Sequence, residues 1–105
     1  MMSEREEVIF TGKVWIWQAR KGEKPMRWFF VSIEGEAAAA LKLASLGLTA
    51  GFGSFPVRAT IGTTTWRTSI FPQSRAGGWI LPLKADVRKR EGIEEGSEIE
   101  VSLAI

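Results

Sequence analysis

Hydrophobic and polar positions alternate with a period of two through most of this chain. From Val8 to Gln18, one face carries Val8, Phe10, Gly12, Val14 and Ile16, and the other carries Ile9, Thr11, Lys13, Trp15 and Trp17. That alternation predicts a strand, and Gly12 within it marks a bulge or a close backbone approach. Gln18 to Met26, with Arg20, Lys21, Gly22, Glu23, Lys24 and Pro25, reads as a charged hairpin loop. Arg27 to Ile33 reads as the return strand, with Phe29, Val31 and Ile33 on one face and Trp28 and Phe30 on the other. Glu36 to Leu46 breaks the period: four Ala in a row, then Leu41, Leu43 and Leu46, predict a helix with Gly47 just past its end. It is apolar nearly all round, so burial on every side is expected. Val57–Ile61 and Thr65–Phe71 form a hairpin about Gly62. Trp79–Leu83 is a further strand, Lys84–Glu91 a short helix closed by Gly92, and Ile99, Val101, Leu103 and Ile105 mark a last alternating strand.

The order is β-β-α-β-β-β-α-β, and it repeats itself. Residues 29–37, Phe-Phe-Val-Ser-Ile-Glu-Gly-Glu-Ala, align without gaps on residues 79–87, Trp-Ile-Leu-Pro-Leu-Lys-Ala-Asp-Val. Each segment is an apolar strand running through a break into a helix with an acid near its start. Two ββαβ units related in this way would close a small barrel and cover each other's strand edges.

Trp28-Phe29-Phe30-Val31, Val57-Arg58-Ala59-Thr60-Ile61-Gly62, Trp66-Arg67-Thr68-Ser69, Leu81-Pro82-Leu83-Lys84, Val87-Arg88-Lys89, Gly92-Ile93 and Gly96 occur in an order and spacing that resemble the "domain of unknown function 1905" family from about Phe10 to Leu103. The resemblance implies a mainly β fold, a six-stranded double-split β-barrel with two short helices, and implies no activity. Residues 79–88 with Gly92-Ile93-Glu94-Glu95-Gly96-Ser97-Glu98-Ile99 are also similar to the strand-Pro-helix-Gly-Ile signature of AbrB/MazE-type swapped-hairpin regulators. Those interlock two such halves as DNA-binding dimers, whereas this chain holds both halves itself.

Composition then narrows the chemistry. The 105 residues include no Cys and no His. That removes thiolate and imidazole metal sites, Cys nucleophiles and Ser-His-Asp triads, and the expectation is no metal and no cofactor. Fourteen Lys and Arg against twelve Asp and Glu give a net charge of +2, too small a bias to argue for nucleic acid by itself. No run reaches the ~18 apolar residues of a membrane span, so the expected setting is the cytoplasm without membrane contact. Residues 1–7 are expected as a disordered polar tail and 8–105 as a single barrel domain.

Three groups of side chains are candidate sites. Arg58, Arg67 and Arg75, with Trp66 beside them, fall in a stretch without an acid from Gly51 to Gly78. Arg binds carboxylate or phosphate bidentately, so these residues are candidates for an anionic ligand; pairing with Glu98 or Glu100 on a neighbouring strand is the structural alternative. Trp15, Trp17, Trp28 and Phe30 lie on the second face of the first hairpin, away from the core. They must therefore meet the Ala-rich helix, a partner such as a second copy in a homodimer, or a ligand. Arg20, Lys21, Lys24 and Arg27 make the hairpin basic and suit nucleic acid, with the ordinary role of a solvated, Lys-guarded edge weighing more. Glu34 and Glu36 suit a helix start rather than an acid–base pair, and the Gly51–Ser54 loop lacks a phosphate-loop ending. The reading that results is a non-enzymatic binding or protein-interaction module, with a nucleic-acid-binding regulator and a small-anion-binding protein as alternatives.

Overall fold

A computed structural model describes residues 7–22, 24–46, 53–73 and 78–105. Among these, six strands and two helices follow the order β1 (Glu7–Lys21), β2 (Lys24–Ile33), α1 (Gly35–Ser45), β3 (Phe55–Ile61), β4 (Thr64–Gln73), β5 (Gly78–Pro82), α2 (Ala85–Glu91) and β6 (Glu98–Ala104). The strands are all antiparallel and close into a barrel in the order β1-β2-β5-β4-β3-β6. The expected tail lies outside the described residues except for Glu7, which opens β1 opposite Ala104.

The internal repeat is visible in the strand register. Val31 pairs with Leu81, Phe30 with Pro82 and Ser32 with Ile80. These are the partners required if residues fifty apart are related by a twofold axis through the Val31–Leu81 pair. β3 and β6 meet in the same manner, across Ala59 and Leu103. Each long strand serves two neighbours. β1 pairs with β6 over Glu7–Lys13 and with β2 over Val14–Lys21; β4 pairs with β3 over Thr64–Ile70 and with β5 over Phe71–Gln73. The change of partner in β1 follows Gly12, where a Cβ would stand 2.7 Å from Val31 Cγ2 and 3.2 Å from the Ser32 carbonyl oxygen. Gly12 is thus the close backbone approach expected at that position.

The inward faces are those the alternation predicted. Val14, Val31, Ile33, Phe55, Val57, Ala59, Ile61, Ile70, Leu81, Val101 and Leu103 fill the interior, each large aliphatic side chain contributing about 1.5–3 kcal/mol on burial. At the end of α2, Gly92 adopts φ 65° and the Ile93 amide donates to the Arg88 carbonyl at 2.9 Å, the longer bond of a Schellman closure.

Two expectations fail. The first hairpin has no charged loop: pairing continues from Val14–Val31 to Lys21–Lys24 and turns tightly at Gly22. Arg20, Lys21, Lys24 and Arg27 are therefore strand residues on a ribbon. β5 pairs with β2 only from Phe30 to Ile33, so beyond Phe30 the ribbon leaves the barrel, and the molecule measures 53 × 30 × 21 Å. Helix α1 is also not buried all round. It buries Ala38, Leu41 and Ser45, while Leu43 and Leu46 are exposed, because a helix packed against the strands presents one face to them. The predicted Gly47 terminator lies outside the described residues.

Candidate functional site

β5 is the shortest strand, and its early end opens the site. At Pro82 the chain leaves the sheet, anchored where the Leu83 amide donates to the Phe29 carbonyl at 2.9 Å, and α2 follows. β2 outside Phe30 and β4 around Arg67 therefore lose the strand between them. The resulting groove has a volume of ≈ 470 Å³. Its cations are Arg27, Arg67, Lys84 and Arg88, its rings are Trp28, Phe29, Phe30 and Trp66, and no carboxylate side chain is among its lining residues.

Arg88 is held in place from two sides. Its guanidinium carbon sits 3.8 Å from the centroid of the Phe29 ring, and its Nε donates to the Leu83 carbonyl at 3.0 Å. Arg27 approaches the same ring at 5.7 Å. A guanidinium over a ring is attracted by the ring quadrupole, by about 0.5–2 kcal/mol. Among the described residues, Arg88 makes its side-chain hydrogen bond through Nε, and its terminal nitrogens form a fork that suits phosphate or carboxylate.

The pseudo-twofold supplies an internal comparison. The counterpart of Phe29 is Trp79, and the counterpart of Arg88 is Ala38. Trp79 is buried, donates from Nε1 to the Ala38 carbonyl at 3.3 Å and packs 6.3 Å from Phe55. One half thus closes its strand–helix angle with a dry indole against a small residue. The other half puts a cation over an aromatic ring at the same place and leaves a groove.

Of the predicted anion-site residues, Arg67 and Trp66 line this groove, although Trp66 is otherwise a core residue. Arg58 lines an adjoining groove of ≈ 480 Å³ that shares Arg67. Arg75 lies outside the described residues. The register places Arg58 directly opposite Arg67, while Glu98 and Glu100 oppose Lys13 and Thr11. The predicted cross-strand partners of the two arginines are therefore not there. Like charges facing each other across strands are destabilising. Phe29, Lys84 and Arg88 were not predicted as site residues. Their signal is the repeat itself, which sets Arg88 against Ala38 and Phe29 against Trp79.

The outer aromatic rings pack partly on one another. Trp15 lies 5.0 Å from Phe30 at 36°, with its Nε1 donating to Ser32 Oγ at 2.9 Å. Trp17 and Trp28 stack at 4.9 Å and 4°. The rings pack against one another across the ribbon, and Trp17 and Trp28 stay 45% and 46% exposed. Glu34 and Glu36 are exposed and do not form a buried acid pair. No helix among the described residues is long and apolar enough to cross a membrane.

Comparison with known proteins gives one positive finding. A family model described as "Domain of unknown function (DUF1905)" matches residues 10–103. No curated protein matches the chain.

Proposed function

The chain belongs to the DUF1905 family, whose description assigns no activity, and we propose from its own surface that it is a non-enzymatic binding module for an anionic ligand held in the groove between β2, β4 and α2. The observation that carries this reading is the convergence of Arg27, Arg67, Lys84 and Arg88 on one groove lined by no carboxylate side chain. Four cations drawn together repel one another, and an anion removes that cost. The groove volume lies within the ~300–1,000 Å³ common for ligand sites. Arg88, stacked and hydrogen-bonded, loses little freedom when it takes an anion, so more of the gross interaction appears as affinity.

Thermal unfolding with multiply charged anions tests the reading. At a hundredfold excess over Kd, a ligand stabilises the fold by ~2.7 kcal/mol, which raises the Tm of a domain this size by about 10 °C or more. Tripolyphosphate or citrate is expected to give such a shift, and Arg67→Ala and Arg88→Ala each to remove it. Failure of every anion to raise the Tm, or an undiminished shift in both variants, rejects the site.

A further inference from the structure

The stacked Trp17–Trp28 pair specifies which anion the groove takes, given the anion-binding reading on which this inference rests. Its centroid separation of 4.9 Å matches the ~4.8 Å between neighbouring strands. The two indoles therefore face each other across the ribbon, and each keeps one outward face. For Trp28 that face lies on the side of β2 away from β1, where β5 has ended, and Trp28 lines the groove. One groove is thus lined by a half-exposed flat ring and by the cations Arg27, Arg67, Lys84 and Arg88. A flat heterocycle laid on Trp28 would extend the existing stack within a groove that the cations also line.

We propose that the ligand is a nucleotide unit of a single-stranded nucleic acid, its base stacked on Trp28 and its phosphates held by Arg67, Lys84 and Arg88. A strand fits better than a free nucleotide because the positive charge continues beyond one phosphate. Arg67 is shared with the adjoining groove, where Arg58 stands directly across from it. Single strands present free base faces to aromatic platforms and run their backbones along positive grooves, whereas a duplex keeps its faces buried. The like-charged Arg58–Arg67 pair gains a partner when the next phosphate passes over it.

The test is binding of a labelled oligothymidylate of about twelve nucleotides, within the usual range for one such fold, to the whole chain. Trp28→Ala should weaken it by about tenfold or more, weaken tripolyphosphate binding less than Arg88→Ala does, and be rescued by Trp28→Phe. The affinity should fall with salt at about −0.7 in log–log slope per phosphate held, and Arg88→Ala should remove about one such increment. Trp28 is half-exposed, so the variant is expected to fold, with its Tm as the control. Tripolyphosphate binding together with oligothymidylate binding that ignores Trp28→Ala overturns the nucleotide inference and leaves the anion groove standing. A free thymidine nucleotide or a duplex binding as tightly as the single strand overturns it too. So does a dimer that Trp17→Ser dissociates, with no oligonucleotide bound. If neither tripolyphosphate nor oligothymidylate binds, both readings fall.

Discussion

The two halves differ in the helix side chain at the angle between strand and helix. Ala38 takes the Trp79 indole hydrogen bond in one half, while Arg88 covers the Phe29 ring in the other. Charge alone does not define that role. Lys lacks the planar fork and does not stack as guanidinium does, so Arg88→Lys is expected to lose most of the anion-induced rise in Tm while keeping the net charge. Gly12 is the opposite kind of position, set by space alone. Gly12→Ala would drive a methyl into Val31 and the Ser32 carbonyl. Overpacking of this kind costs about 1–3 kcal/mol, to be read as a lower urea midpoint with an unchanged slope. Gly12 was legible in the sequence because a glycine in an alternating strand already implies crowding. Arg88 was not. Three cations in the last turn of a helix satisfy the helix dipole wherever they point, and only the neighbouring strand shows that one of them covers a ring.

At the scale of elements, alternation identified strands wherever one face was buried. It failed on the outer ribbon because nothing there is buried against a barrel. Residues 18–25 are polar or small at every position, and the period-two signal vanishes although the hydrogen-bond ladder continues to Lys21–Lys24. The cross-strand Trp17–Trp28 pair is what the ribbon has in place of a core. Such pairs contribute about 0.5–1.5 kcal/mol, so Trp17→Ala should lower stability by about 1 kcal/mol. Helix α1 was legible in position and not in orientation, since an Ala-rich, Leu-rich sequence buries equally well on several sides. The structure separates them: Leu41→Ala should cost about 2–5 kcal/mol, and Leu43→Gln less than about 0.5 kcal/mol, by equilibrium unfolding. Helix α2 is tied to the β3–β4 turn by Glu91, which accepts from Thr64 Oγ1 at 2.5 Å and Thr63 Oγ1 at 3.5 Å. Thr64 is buried. Thr64→Val leaves one side of that carboxylate without its donor and should cost about 1–3 kcal/mol.

Over the whole molecule, the repeat of residues 29–37 in residues 79–87 foretold the symmetry axis, because a gapless offset survives only where paired strands meet about that axis. The division of labour between the halves was not legible, since it depends on β5 ending early and on which strands become neighbours. The closed order β1-β2-β5-β4-β3-β6 has one more consequence. β3 lies between β4 and β6, and β6 between β3 and β1, so each half gives its last strand to the other. Sequential strands pair directly in β1–β2, β3–β4 and β4–β5, whereas the seam that pairs Glu7 with Ala104 spans almost the entire chain. Loop-closure entropy must be met before such pairings return any free energy. The refolding rate is therefore expected in the millisecond-to-second range of non-local β topologies. Core truncations on the β1–β6 seam, such as Val101→Ala, should accelerate unfolding and barely slow folding. Truncations within a sequential hairpin, such as Val57→Ala, should slow folding itself. A chevron in which the seam variants slow folding as much as the hairpin variants would place closure of the barrel before, not after, the rate-limiting step.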